Sequence, residues 1–104
     1  MTRATAPRFD GIVHAPHRLR ICVMLAAVDS MDFQAIRDDL GVADSVLSKQ
    51  LKVLTDAGYV QLCKPQGKGR VRTWAELTPA GRRALAGHLA ELQHLASLAQ
   101  APTN

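Results

Sequence analysis

Apolar residues recur along this chain with a helical period in four places and with an alternating period in two. The run Leu19-Arg20-Ile21-Cys22-Val23-Met24-Leu25-Ala26-Ala27-Val28 is apolar nearly all round, which predicts a helix packed on several sides, the post of the core. Asp32 is placed to cap a second, short helix with Phe33, Ile36 and Leu40 on one face and Gln34, Arg37 and Asp38 outward, and Gly41 can end it in the left-handed conformation. After the turn Gly41-Val42-Ala43, Asp44 is predicted to cap a third helix over 44–57. There Leu47, Leu51 and Leu54 follow the i, i+4, i+7 rule, and Gly58 supplies the stop. A shorter helix is expected over Phe9 to His14, closed by Pro16. Residues 1–8 lack periodicity and read as a disordered tail, ahead of a single domain over 9–100.

Past Gly58 the period changes. Tyr59 to Lys64 and Val71 to Leu77 read as two strands around a glycine-rich turn, with Val60, Leu62, Ala75 and Leu77 toward the core and Arg72, Trp74 and Glu76 on the other face. Trp74 there reads as a packing cover. Thr78-Pro79 has the chemistry of a helix start, a threonine cap followed by proline, and the helix it opens is predicted over 79–100. Leu85, Leu89, Leu92, Ala96 and Ala99 form one stripe on it, widened by His88 and Leu95. A stripe that long exceeds what so small a body covers, so these seven residues are expected to form a dimer interface. The competing expectation packs the stripe on the helix beginning at Arg18. The fold class is mainly α with a small β-hairpin (α+β).

At 104 residues with 47% apolar and only 4% aromatic positions, the chain has room for one domain whose core is Leu, Val, Ile and Ala, with little space for a large ligand cavity. Cys22 and Cys63 are too few for a disulfide scaffold and lack metal-ligand spacing, which fits a reducing compartment. The longest strongly apolar run, Ile21 to Val28, is far short of the roughly 20 residues of a membrane span, and residues 1–16 hold no stretch resembling a signal peptide. A soluble, cytoplasmic protein with no membrane partner is expected.

Charge adds location. The net charge is +4, and Lys64, Lys68, Arg70 and Arg72 lie in one short segment without an acid, while the other nine basic residues equal the nine acidic ones. The stretch Asp29 to Asp44 instead sets five aspartates against Arg37 alone. The molecule therefore has an acidic side and a basic projection at Gln66-Gly67-Lys68-Gly69-Arg70, suited to a polyanion. On the third helix, the face opposite the leucines carries Ser45, Ser48, Lys49, Lys52 and Asp56, short and basic enough to reach base edges and phosphates if that helix lies in a major groove. No nucleophile, base or carboxylate pair stands in a catalytic spacing, so neither an enzyme nor a cofactor is expected.

The order helix, short helix, turn, helix, basic hairpin, long helix is that of the winged helix-turn-helix, and three local segments agree. Ala15-Pro16-His17-Arg18-Leu19-Arg20-Ile21 resembles the opening of the ArsR-type repressors. Ser48-Lys49-Gln50-Leu51-Lys52-Val53-Leu54-Thr55-Asp56-Ala57-Gly58-Tyr59-Val60 resembles the recognition helix and strand start of ArsR- and MarR-type regulators, and Leu77-Thr78-Pro79-Ala80-Gly81-Arg82 is similar to the MarR-type junction between wing and helix. The resemblance implies a homodimeric bacterial transcription regulator, in expectation a repressor, on a near-palindromic double-stranded DNA operator. By motif position it puts Ser45, Ser48, Lys49 and Lys52 in the major groove, and Lys64, Lys68, Arg70 and Arg72 of the wing, 64–73, on the backbone or in the minor groove. The long helix becomes the dimerisation helix.

Departures from the family narrow the reading. Metal-sensing members carry Cys-x-Cys in the recognition helix, where this chain has Val46-Leu47-Ser48-Lys49. A second type uses Asp-x-His before the last helix, where this chain has Glu76-Leu77-Thr78, and His88-x-x-Glu91 alone is poor zinc coordination. No metal site is expected. The chain is short beside full MarR-type proteins, so control by a small-molecule effector and control by abundance alone both stay open. The rival to DNA binding is a winged helix used as a protein-interaction module.

Overall fold

The structure is a computed structural model that describes residues 5–64 and 72–100. Pro16 sits in the first turn of α1 (Pro16–Ala26), where its fixed φ suits a helix start and its missing N–H costs nothing. Ile21, Cys22 and Leu25 of α1 are fully buried, which makes it the post around which the other elements pack. Its C-terminal carbonyls do not face water alone, because the Arg82 guanidinium donates to Ala26 O at 3.2 Å and Val28 O at 3.4 Å.

The helix-turn-helix follows from two punctuation marks. Asp32 Oδ1 accepts from Gln34 N at 2.7 Å and starts α2 (Phe33–Leu40), and Gly41 ends it at φ +67°, a conformation that costs glycine least. Across the turn, α3 (Asp44–Asp56) buries Leu47, Leu51 and Leu54. The expected Asp44 cap is replaced by Ala43 with no side-chain cap. Asp44 instead receives Arg37 Nη1 at 2.7 Å, since a cation one helix away offers a stronger hydrogen bond than an amide. That ion pair closes the turn between α2 and α3.

The sheet has three antiparallel strands where a two-stranded hairpin is expected. β1 (Met31–Asp32) lies on one side of β3 (Trp74–Leu77) and β2 (Val60–Cys63) on the other. Val60 faces Leu77 and Leu62 faces Ala75 across the ladder. Met31 faces Ala75, and Phe33 N donates to Thr73 O at 2.9 Å beyond the pair. Of the four residues predicted to point inward, Val60, Ala75 and Leu77 are buried but Leu62 is 40% exposed. Its side chain lies at a surface hollow beside Ser48 and Leu51 of α3 instead of entering the core. The hairpin tip, residues 65–71, lies outside the described residues, as do residues 1–4 and 101–104.

Two expectations at the N-terminus change. Residues 9–14 form a turn and not a helix, because the Asp10 carboxylate accepts from Ile12 N (2.9 Å) and Val13 N (3.0 Å), a local alternative to helical bonding. Arg8, read as part of a loose tail, donates its amide to Gly87 O at 2.9 Å, so the chain from Arg8 to His14 lies as a strap along the last helix.

That helix, α4 (Pro79–Ala99), opens on Thr78, whose hydroxyl oxygen accepts from Gly81 N at 3.0 Å while its O–H donates to Gly58 O at 2.6 Å. Gly81 has a further role, for a Cβ there would lie inside contact distance of the Tyr59 carbonyl oxygen and 2.8 Å from Leu77 Cδ1. Backbone packs on backbone. The predicted stripe divides along α4. Leu85 and His88 are buried within the protomer, covered by the strap and the core, and so drop out of the expected dimer interface. Leu89, Leu95, Ala96 and Ala99 stay exposed and Leu92 half-buried. Among the described residues no helix is long and apolar enough to cross a membrane.

Gly81→Ala is expected to destabilise the protein by about 2–3 kcal/mol by overpacking, although alanine is the better helix former by about 1 kcal/mol. Urea unfolding followed by circular dichroism measures it, and a neutral or stabilising result contradicts the close contact.

Candidate nucleic-acid interface

With Leu47, Leu51 and Leu54 turned into the core, the opposite side of α3 is left to solvent, and Ser45, Lys49 and Lys52 stand on it exposed, as their spacing predicts. They differ in freedom. Lys52 Nζ is 3.1 Å from Asp56 Oδ2 in an i, i+4 pair, and both are exposed, so the pair holds the ammonium loosely. Lys49 has no acidic partner among the described residues and is the freest cation of the helix.

Ser48 lies on the flank of α3 rather than its crest. It lines a hollow of about 190 Å³ with Phe33, Leu51, Leu62, Lys64 and Thr73, between the helix and the root of the hairpin. The structure thus brings Ser48 and Lys64 together across some fifteen residues of sequence, with aliphatic Leu62 between them. Arg72 stands two residues ahead of β3, next to Thr73, and its Nη1 lies 3.3 Å from Asp32 Oδ2. Asp32 therefore serves twice, one oxygen capping α2 and the other steering Arg72. Lys68 and Arg70, expected at the tip, lie outside the described residues.

A contact absent from the sequence reading holds this surface steady. Arg18 of α1 donates from Nη1 to Gln50 Oε1 at 2.9 Å and from Nε to Ile12 O at 2.6 Å. It bolts the flank of α3 to α1, over a separation of 32 residues, and no periodicity signals such a pairing. Electrostatics sort the same way. Asp39 is met by Arg20 at 3.2 Å, and Asp38 and Asp44 by Arg37 at 3.2 and 2.7 Å. Hydrogen bonds from Asp44 and then Asp38 raise the Arg37 pKa further above its ordinary value. The acids of α2 are thus largely matched, while Lys49 and Lys64 face solvent.

Chemistry other than binding has little foothold. Burial, aided by the charge of Asp10, pushes the Cys22 thiol up to about 11, so it stays protonated and unreactive at neutral pH. Cys63 is exposed on β2. Among the described residues no group of three or more His, Cys, Asp or Glu is placed to hold a metal ion.

Comparison with known proteins places this geometry. The winged helix DNA-binding domain family matches residues 17–96. An uncharacterized protein of Methanocaldococcus jannaschii is 30% identical over 84% of this chain and 90% of its own. The solved structure of a transcriptional regulator homologue from Pyrococcus horikoshii OT3 superposes with a TM-score of 0.82 at 26% identity, covering 86% of this chain and 89% of that one. ZitR of Lactococcus lactis, a zinc-responsive MarR family member, shares the fold with a TM-score of 0.63 at 21% identity, over 88% of this chain and 62% of its own. With α3 framed by a basic hairpin root and all but its ends matched, the chain belongs to the winged helix DNA-binding domain family.

Proposed function

We propose that the chain acts as a homodimeric repressor that lays α3 of each copy in successive major grooves of a near-palindromic operator and sets the wing on the flanking backbone or minor groove. The observation that carries this reading is the outer face of α3, where Ser45 and Lys49, which has no acidic partner among the described residues, stand exposed and Lys52 is only loosely held, beside Lys64 at the hairpin root. Short side chains let the helix approach the base edges, and the lysines meet phosphate or guanine. Two copies reading half-sites one helical turn apart match the symmetry of such an operator. Acting on DNA, the protein works in the cytoplasm.

The second copy is supported by the outer part of α4. Leu95 is 46% and Leu98 59% exposed, and Leu89 and Leu92 continue the apolar line toward the body. Such a row on a helix that has left its own domain is suited to pairing with its copy.

Fluorescence anisotropy with the duplex upstream of the gene and a scrambled control, across a salt series, tests the reading. Preference for the upstream duplex is expected, with affinity falling steeply with salt as about 6–10 phosphates are neutralised. Replacing Lys68, Arg70 and Arg72 with Ala should remove most of the affinity. Equal binding to both duplexes, or an unaffected triple variant, moves the surface to a protein partner.

Lys49→Ala is expected to relax discrimination at one base-pair position by about 1–3 kcal/mol. Uniform weakening on every sequence instead assigns Lys49 to phosphate alone. Leu95→Asp should halve the mass seen by light scattering and weaken operator binding roughly a hundredfold through lost bivalency. An unchanged mass rejects α4 as the interface.

A further inference from the structure

A polar cluster lies apart from the DNA-facing surface, at the seam between the strap and α4. His88 is fully buried, and both its ring nitrogens are engaged. Asp10 N–H donates to Nδ1 at 3.0 Å, and Nε2 lies 2.9 Å from His14 Nδ1. Because an amide can only donate, Nδ1 of His88 carries no hydrogen and Nε2–H must be the donor to His14, which fixes the tautomer of both rings. Phe9 packs against the pair, its ring centroid 4.9 Å from each imidazole. The Asp10 carboxylate is occupied elsewhere, by Ile12 N, Val13 N and the Tyr59 hydroxyl at 2.6 Å.

We infer that His14 and His88 form a proton-operated latch, which holds residues 8–14 on α4 while both rings are neutral and releases them in mild acid. The arrangement leaves no place for a third ring hydrogen. A proton added to His88 puts an N–H against the Asp10 amide. A proton added to His14 Nδ1 either meets the Nε2–H of His88 or drives that hydrogen round to Nδ1, against the same amide. Every protonated form therefore loses the Asp10 amide bond or the bond between the rings.

The charged neighbours do not rescue it. From the strap, Asp10 and His14 face the ring, with Arg8 beside Tyr59. From α1 come the buried, neutral Cys22 and the Arg18 guanidinium, which is engaged by Ile12 O and Gln50, and from α4 itself Glu91. The Asp10 carboxylate is directed to Ile12 N, Val13 N and Tyr59, the residue that carries the chain from α3 into β2, and it is the Asp10 amide that meets Nδ1. Although burial acts the other way, the bonds from Tyr59, Val13 and Ile12 hold the Asp10 carboxyl below its usual range. The bond to Asp10, then burial, raises the Tyr59 phenol.

The energetics share this direction. Burial, then the neighbouring His14 ring, lowers the His88 pKa against opposing pulls from Asp10 and Glu91. The folded chain thus binds this proton less readily than the unfolded one. The stabilisation is complete above the ordinary histidine value and is lost as the pH falls below it.

The test needs no DNA and stands apart from the operator reading. Long-range proton–nitrogen NMR at about pH 7.5 should find hydrogen on Nε2 of both rings, with Nδ1 unprotonated. Hydrogen exchange at the Arg8 and Asp10 amides, corrected for intrinsic rates, should then lose about tenfold or more of its protection on going to about pH 5.5. The Leu51 and Leu54 amides in α3 should keep theirs. In His88→Asn the amide oxygen stands where Nδ1 stood and does not titrate, so protection at Asp10 should persist in acid. An Nδ1–H tautomer of His88, acid-insensitive strap amides, or loss in step with the α3 amides overturns the latch. The NMR and exchange on the unaltered chain decide it even if the variant does not fold.

Discussion

The contact that most of the architecture depends on is the backbone approach of α4 to the end of α3. Gly81 lies against the Tyr59 carbonyl, Thr78 N donates to that same oxygen at 3.0 Å, and the Thr78 hydroxyl reaches Gly58 O. Three elements meet there: α3, the strand that leaves it, and α4. Gly58, at φ +80°, turns the chain out of α3 at the point where this closure is possible. Without a side chain at Gly81 the gap closes by hydrogen bonding and steric fit, which define direction more sharply than apolar packing. The orientation of α4 relative to α3 is thereby fixed through main chain.

The boundary between what the sequence reveals and what it conceals follows the range of the interaction. Local signals were sufficient for the leucine row of α3, the Asp32 and Thr78 caps and the left-handed Gly41, because each acts within one or two turns of its own helix. Contacts between distant segments carried no such mark. β1 is two residues long and shows no alternation, so only its pairing with β3 identifies it. The Asp44 cap failed because Arg37 reaches the carboxylate from the preceding helix. His88 and Leu85 fell on the same stripe as Leu92, and periodicity alone cannot tell which part of a stripe a strap will cover.

The residues proposed to face DNA divide by the same rule. Helical spacing places Ser45, Lys49 and Lys52 on one exposed face. The meeting of Ser48 with Lys64, the steering of Arg72 by Asp32 and the bolt from Arg18 to Gln50 arise from the tertiary fold. These contacts tie α3 to α1 and the hairpin root to the start of α2, which lowers the ordering entropy that docking on this face would cost. The acidic patch beneath is matched chiefly by arginines from α1 and α2, which leaves the lysines of α3 and the hairpin root to set the sign of the field on that side.

The outer part of α4 is exposed from about Gln93 onward, while its first turn is clamped on Tyr59 and its middle lies under the strap at Gly87 and His88. The residues from Gln93 to Ala99 thus form a short arm of about 10 Å beyond the held part of the helix. A rotation of some 10° at the base of that arm moves its end by about 2 Å, less than the 3.4 Å rise of one base pair. Whatever grips the arm therefore sets the attitude of the whole head with little angular error.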